Sequence, residues 1–175
     1  MSKTKRNILA VVVIVLLCLL DQFTKYLAVA HIKEEPIILI DGVLELRYLE
    51  NRGAAFGMLQ NRQWFFLIIT VITLFIIVYT YIKLPRERHY TPLRICMIAL
   101  TAGAIGNMIN RINLQYVVDF IYVKLIDFPI FNVADIFATC STIALIVLFL
   151  FFYSEEDFDL IFSLIIPKRK NKEEL

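Results

Sequence analysis

Four long apolar stretches constrain the fold of this chain more than any other feature of its sequence. They run approximately over residues 7–29, 64–83, 93–112 and 130–153. A helix needs about 20 predominantly apolar residues to cross the hydrocarbon core of a bilayer, and each stretch meets that length. With 59% hydrophobic and only 19% charged residues, the composition is not that of an ordinary soluble domain. We therefore predict an α-helical integral membrane protein with four transmembrane helices.

The basic residues are divided unevenly between the two predicted sides of the membrane. Because the number of spans is even, both termini share one side with the loop between the second and third spans. The lysines and arginines of that side are Lys3, Lys5, Arg6, Lys83, Arg86, Arg88, Arg94, Lys168, Arg169, Lys170 and Lys172. Those of the opposite side are Lys33, Arg47, Arg52, Arg62 and Lys124. Since loops rich in Lys and Arg remain cytoplasmic, we expect both termini in the cytoplasm.

The first apolar stretch also resembles a cleavable secretory signal. Basic residues precede it, and the small residues Ala28 and Ala30 follow it. Asp21 and Lys25 interrupt the run ahead of those alanines, and removal of the stretch would leave three spans. We therefore expect it to remain as the first transmembrane helix.

The segments between and after the spans have their own patterns. In the external segment, residues 30–63, a turn at Asp41–Gly42 joins two predicted strands, residues 37–40 and 43–50, into a β-hairpin with one apolar face. A small sheet with one apolar face is expected to lie on the extracytoplasmic membrane surface or to pack over the bundle. Residues 154–175 combine an interfacial segment with a basic tail, so the four-span domain is expected to occupy residues 1–153.

Two carboxylates stand out against this apolar background. Asp119 lies in the motif Val117–Phe120, and Asp135 lies within the start of the fourth span. Ionisable residues at membrane depth are costly and are functional candidates by default. The predicted span directions also bring Asp21, Lys25 and other polar residues, Asn107, Asn110, Arg111 and Asn132, to the same outer level. A close carboxylate pair shares one proton and can perform the acid–base chemistry of an aspartic protease.

Several of these residues have simpler interpretations. Asp21 and Lys25, spaced i and i+4, suit an intrahelical ion pair, and Asn107 and Asn110 suit ordinary interhelical hydrogen bonds. The three cysteines, Cys18, Cys96 and Cys140, are expected to be small packing residues. A proton-coupled transporter and a non-catalytic assembly factor are the alternative functions. The transporter is disfavoured because the halves of the chain show no internal repeat.

Five motifs in sequence resemble bacterial lipoprotein signal peptidase, the signal peptidase II family. They are Asp21–Lys25, Asn51–Gly57, Gly103–Arg111, Val117–Phe120 and Phe131–Asp135, within a resemblance that covers roughly residues 7–153. The resemblance implies a multi-pass aspartyl endopeptidase of the bacterial inner membrane, in which the external β-hairpin segment forms a small extracytoplasmic cradle over the catalytic level. Such an enzyme removes signal peptides from prolipoproteins immediately before a diacylglyceryl-modified cysteine.

The resemblance also implies roles for individual residues. Asp119 and Asp135 match the catalytic pair. Residues that match positions shaping the site or holding substrate are Asp21, Lys25, Asn51, Gly53, Asn107, Arg111, Asn132 and Ala134. The family usually has an aspartate where this chain has Asn110, so we expect the charge of Arg111 to act more strongly on the catalytic pair. No metal or other cofactor and no nucleic-acid partner is expected; the expected partners of a monomer are lipidated prolipoproteins and membrane lipid, with the active site near the extracytoplasmic face.

Overall fold

Five helices and one small sheet make up the part of the chain that the structure, a computed structural model, describes: residues 2–53 and 62–166. The helices are α1 (Lys3–His31), α2 (Gln63–Lys83), α3 (Thr91–Leu114), α4 (Val133–Phe151) and α5 (Glu155–Ile165). The strands are β1 (Ile37–Ile40), β2 (Leu44–Asn51) and β3 (Val117–Val123). Two short 3-10 turns cover Arg88–Tyr90 and Lys124–Ile126.

Helices α1 to α4 are each long and apolar enough to cross a membrane, which confirms the prediction of four candidate spans. The third span has the lowest mean hydropathy, 1.5 against 2.3 to 2.6 for the others. It is also the most enclosed, because 44% of its apolar window is buried, against 6% to 17% elsewhere. Helix α3 contacts α1, α2 and α4, so its polar residues face protein rather than lipid.

Two glycines allow α3 to approach its neighbours closely, as their small size predicts. A Cβ atom on Gly103 would lie 2.5 Å from the carbonyl oxygen of Ala134 in α4. A Cβ atom on Gly106 would lie 2.5 Å from Oδ2 of Asp21 in α1 and 3.1 Å from Cβ of Ala134. The two distances of 2.5 Å are shorter than any ordinary carbon contact. The glycines therefore fix how tightly α1, α3 and α4 pack.

The predicted hairpin is part of a three-stranded antiparallel sheet in the order β1-β2-β3. Strand β3, which contains Asp119, is an addition to the two predicted strands. Glu45, which alternates with the apolar residues of the hairpin, is buried. Lys124 and Arg47 form salt bridges with its two carboxylate oxygens at 2.7 and 2.9 Å, and this pairing compensates its burial.

Helix α5 follows the fourth span directly. Ser154 begins it with a capping box, in which Ser154 and Asp157 each accept a hydrogen bond from the backbone of the other. Ile161 is buried in a cluster with Leu84, Leu93 and other apolar residues of the α2–α3 region. The helix thus packs on the bundle with one face. The predicted basic tail, residues 168–172, lies outside the described residues.

Candidate active site

Strand β3 delivers Asp119 to the end of the bundle. Val118 and Phe120 pack with Ala28 of α1 and with Ile32, the residue that follows α1, so the strand lies directly on the end of the first helix. Asp119 itself is 1% exposed. Antiparallel pairing sets Leu49 of β2 opposite Asp119, and Asn51 follows two residues later on the same face.

Asn132 positions Asp135 at the beginning of α4. The Asn132 side chain accepts a hydrogen bond from the backbone N–H of Asp135 at 3.0 Å, and the Asp135 carboxylate accepts one from the backbone N–H of Asn132 at 3.1 Å. This capping box ends the extended segment before α4, so the helix begins at Val133 and not at the predicted residue 130. It also fixes the Asp135 carboxylate in the first turn, where the helix dipole favours negative charge.

Neutral amides surround the two carboxylates. Asp119 accepts hydrogen bonds from Nδ2 of Asn132 at 2.6 Å and from Nδ2 of Asn51 at 2.7 Å. Asp135 accepts one from Nδ2 of Asn107 at 2.7 Å. Asn132 therefore contacts both carboxylates, Asp119 through its side chain and Asp135 through its backbone. The two acids are brought into one site by donors that add no positive charge.

A buried ion pair supports this layer from behind. Lys25 forms a 2.9 Å salt bridge with Asp21 and donates a second hydrogen bond, also 2.9 Å, to Oδ1 of Asn107. The other oxygen of Asp21 accepts the backbone N–H of Ala134 at 2.9 Å. Asp21 is fully buried and Lys25 is 2% exposed. The pair is thus the intrahelical ion pair that its spacing suggests, and it also orients the amide of Asn107 toward Asp135.

The electrostatics of Asp119 follow from this enclosure. Burial, and after it the nearby Asp135 carboxylate, raise the pKa of Asp119 to about 7, against the opposing effects of the amide hydrogen bonds and Lys25. The raised pKa allows Asp119 to keep a proton near neutral pH. Together, a carboxyl group with that pKa and a neighbouring second carboxylate can act as an acid–base pair.

Both carboxylates line a cavity of about 880 Å³ that opens between the sheet and the helices. Its polar lining includes Asn51, Gly53 and Arg111. Its apolar lining comes largely from the segment 128–131, with Phe66 of α2 and Ile136 of α4. The cavity can hold a polar group at the acids and an apolar group beside it.

Arg111 faces this cavity, whereas Asn110 does not. The Arg111 guanidinium lies over the ring of Phe66, 4.8 Å from its centroid, with one nitrogen 3.5 Å from the carbonyl oxygen of Gly53. Asn110 is buried and hydrogen-bonds to Gln22 at 3.0 Å and to the backbone N–H of Val118 at 3.2 Å. Successive helix residues point in different directions, so Asn110 and Arg111 have different partners, and the expected stronger effect of the Arg111 charge on the catalytic pair stays a prediction.

The structure divides the predicted site residues into two layers. The cavity is lined by Asn51, Gly53, Arg111, Asp119 and Asp135. The supporting layer behind it consists of Asp21, Lys25, Asn107, Asn132 and Ala134. All ten predicted residues therefore meet at one place. Within residues 2–53 and 62–166, no group of three histidines, cysteines or acids is arranged to hold a metal ion.

Sequence reasoning missed several residues of this region. Gln22 donates to Asp21 at 2.8 Å and to the carbonyl oxygen of Gly106 at 3.0 Å, and its place inside the Asp21–Lys25 motif was the available signal. Phe66 carries no local signal. Cys140 was expected to be a packing residue but is exposed and lines the cavity, because its face of α4 is not covered by another helix.

Comparison with known proteins gives consistent matches. The model of a family described as signal peptidase (SPase) II matches residues 13–152. The chain is 45% identical over 147 residues to the lipoprotein signal peptidase of Caldanaerobacter subterraneus subsp. tengcongensis, which covers 82% of this chain and 97% of the relative. It is 40% identical over 151 residues to that of Streptococcus pyogenes serotype M5, covering 86% and 96%.

Two solved structures are also similar. Both are described as bacterial membrane enzymes studied by the in meso method, one at 2.3 Å and one at 1.9 Å resolution. The first has a TM-score of 0.74 at 35% identity and covers 81% of this chain and 87% of the solved chain. The second has a TM-score of 0.73 at 34% identity and covers 82% and 94%.

Proposed function

The chain belongs to the signal peptidase II family, and from this we propose that it is an aspartyl endopeptidase which removes signal peptides from prolipoproteins. The proposed scissile bond precedes a cysteine that carries diacylglycerol. The observation that carries the proposal is the pair of Asp119 and Asp135 in one cavity, joined through Asn132.

In the proposed reaction the pair begins with one shared proton. The ionised carboxylate takes a proton from a water molecule, whose oxygen attacks the scissile carbonyl carbon. The protonated carboxyl group donates a hydrogen bond to the developing oxyanion. The tetrahedral intermediate then breaks its C–N bond, and a proton passes from the pair to the leaving nitrogen. The products are the signal peptide with a new carboxylate and the lipoprotein with a free α-amino group on its modified cysteine.

The amide donors suit this cycle because they hold the carboxylates without fixing their charge. Asn51, Asn107 and Asn132 can donate to either oxygen of an acid that gains or loses a proton. A lysine in direct contact would favour two ionised carboxylates. Lys25 instead contacts Asn107 and stays behind it.

The cavity also suits a lipidated substrate. Its apolar wall, formed by segment 128–131 with Phe66 and Ile136, lies beside the two acids. A diacylglyceryl chain arriving from the bilayer would contact this wall while its cysteine reaches the acids. Arg111 and Gly53 line the polar part and would bind the peptide backbone.

We also infer the cellular setting. Membership of the family, whose relatives are bacterial, implies the bacterial inner membrane. The excess of basic residues on the terminal side favours cytoplasmic termini and a site near the extracytoplasmic face. One chain supplies both carboxylates and all their described donors. The proposed active species is therefore a monomer.

Substrate processing gives the test of this function. Purified full-length protein in lipid is incubated with a diacylglyceryl-modified prolipoprotein and, in parallel, with the same prolipoprotein lacking the lipid. We expect mass spectrometry to show cleavage immediately before the modified cysteine and far slower cleavage of the unmodified form. Intact lipidated substrate would contradict the proposal, and substrate-dependent proton flux without cleavage would favour the transporter.

A further inference from the structure

A second cavity lies among α1, α2 and α3, at the end of the bundle where the chain begins. Its volume is about 200 Å³. Most of its lining is apolar and includes Ala10, Val11 and Ile14 of α1, Ile77 of α2, and Met97 and Ile98 of α3. The cavity therefore extends about 10 Å along α1, from Asn7 to Ile14. A slot of this shape between membrane helices fits part of an acyl chain.

The direction of the helices places two arginines at one end of this slot. Helices α1 and α3 begin there, and Arg6 and Arg94 each lie four residues before a lining residue of their own helix, Ala10 and Ile98. Residues spaced i and i+4 share a helix face, so both arginines belong to the face that lines the slot. Arg94 is close enough to interact electrostatically with Arg6 and with Tyr81. Tyr81 lies near the end of α2 and lines the slot, so this interaction places Arg94 at the same end of the slot.

The described groups that act electrostatically on Arg94 are Arg6, Tyr81 and Tyr153, and none of these three is a carboxylate. Salt bridges within residues 2–53 and 62–166 are formed by Lys25, Arg47, Arg52, His89 and Lys124, and by neither Arg6 nor Arg94. Arg94 is only 4% exposed and donates to the carbonyl oxygens of Leu84 and Pro85.

The guanidinium groups also keep unused donors. Nε of Arg6 and Nε of Arg94 are both buried without a hydrogen-bond partner. Two neighbouring cations with buried free donors are costly unless an anion binds them. Phosphate oxygens fit such donors, and basic pockets between membrane helices bind anionic headgroups.

We propose that this cavity is a binding site for a membrane phospholipid with an anionic headgroup. Arg6 and Arg94 bind the phosphate, and the slot between α1, α2 and α3 holds part of one acyl chain. The site is separate from the carboxylate cavity, because the two share no lining residue. The ligand would brace the end of the bundle opposite the proposed reaction.

Lipid retention tests the proposal. Full-length protein is reconstituted in vesicles that contain equal amounts of phosphatidylglycerol and phosphatidylcholine. The protein is then released from the vesicles, and native mass spectrometry identifies the lipids that remain bound to it. We expect one retained phosphatidylglycerol, and a preference that falls by roughly fivefold for each arginine replaced in Arg6→Gln and Arg94→Gln. The control is Lys3→Gln/Lys5→Gln, which removes two exposed charges from the same helix end and should keep the preference.

Other outcomes overturn the site. Equal retention of both lipids by the wild type, or an equal loss in the lysine control, would reduce the effect to general apolar or electrostatic attraction. If the protein binds added inorganic phosphate but retains no lipid, the site is one for a free anion and the lipid proposal is wrong. Arg94→Gln loses the hydrogen bonds to the carbonyl oxygens of Leu84 and Pro85 and could fail to fold for that reason. In that case a second variant, Val11→Trp, tests the site, because the larger side chain fills the slot and Val11 is 60% exposed, so the bundle can accommodate it. This variant should lose the lipid with both arginines intact, and full retention would refute the acyl slot.

Discussion

Asn132 contacts both carboxylates of the proposed pair, and its side-chain amide is required for the contact with Asp119 and for capping the backbone of Asp135. Its amide nitrogen donates to Asp119, its amide oxygen accepts from the backbone of Asp135, and its own N–H donates to the Asp135 carboxylate. An aspartate here could not donate to Asp119 when ionised, and a serine would be too short to span both acids. A single capping residue thus couples the start of α4 to the chemistry.

The raised pKa of Asp119 predicts the pH dependence of cleavage. Below about pH 7 Asp119 holds a proton, and above it the carboxyl group ionises. Because the pair needs one proton, kcat/KM should fall as the pH rises beyond about 7. The hydrogen bond from Asn51 lowers the pKa of Asp119. Asn51→Ala removes that bond, so the pKa should rise and the alkaline limb should move to higher pH. A pH–rate profile with a lipidated substrate measures both effects.

The pH profile has a matched control. Arg52→Gln changes the next residue, whose guanidinium pairs with Glu50 at the surface, and should leave the limb in place. A wild-type rate that keeps increasing well above neutral pH, or a downward move in Asn51→Ala, would refute this assignment of the proton.

Asn110 supports a different prediction from the one its sequence position suggests. Because Asn110 faces Gln22 and the Val118 backbone, Asn110→Asp should leave the alkaline limb unchanged. The variant keeps an acceptor for Val118 but loses its donor to Gln22, so stability should fall by about 1 kcal/mol. Thermal unfolding and the pH profile test the two statements. A move of the alkaline limb to higher pH would contradict this prediction and would support an electrostatic effect of residue 110 through Arg111.

Among the elements, α3 determines the spacing of the site through its two glycines. An added methyl group on Gly103 meets the backbone of α4, whereas one on Gly106 meets the carboxylate of Asp21. Gly103→Ala should therefore cost more stability, roughly 1–3 kcal/mol. Gly106→Ala should lower activity more than Gly103→Ala when activity is compared per kcal/mol of lost stability, because its methyl group displaces the Asp21–Lys25 ion pair behind Asn107. Unfolding and cleavage measured on the same preparations separate the two.

The added methyl groups have a control on the same helix. Ala104→Ser also adds one heavy atom to α3, at a half-buried position, and should change neither quantity much. Equal effects of the two glycine variants on activity per unit of lost stability would show that Asp21 has no positioning role.

The elements differ in how far the sequence could predict them. The four long helices follow from apolar length alone, and the turn at Gly42, with its φ of 68°, follows from the Asp-Gly pair. Strand β3 was missed although Val117–Val123 is rich in β-branched and aromatic residues, because its partner β2 is distant in sequence. Segment 54–61, which includes part of one motif, lies outside the described residues.

The candidate site was predictable only in part, for a similar reason. Asp21, Lys25 and Asp135 could be singled out as polar residues in apolar spans. The cavity-lining residues Phe66 and Cys140 could not, because the sequence of a membrane helix does not show whether an apolar side chain faces lipid or a cavity.

For the whole molecule, the charge asymmetry predicts the topology. Reporter fusions after Lys172 and within residues 86–89 should be cytoplasmic, and fusions near Gln60 and Leu125 should be external. Lys172 and Gln60 lie outside the described residues, so the fusions test the sequence argument itself. An external reporter within residues 86–89 would invert the protein and place Asp119 and Asp135 on the cytoplasmic side.

The most direct test of the central claim is cleavage by single isosteric variants of the two acids. Asp119→Asn and Asp135→Asn should each lower the rate of lipidated-prolipoprotein cleavage by at least roughly 10²–10⁴-fold, since neither leaves a workable acid–base pair. The control is Asp127→Asn, a third acid of the same cavity, whose left-handed backbone (φ 47°) asparagine also adopts. It should stay near the wild-type rate. If Asp119→Asn or Asp135→Asn were folded and inserted and still cleaved at close to the wild-type rate, the proposed aspartyl mechanism would be wrong.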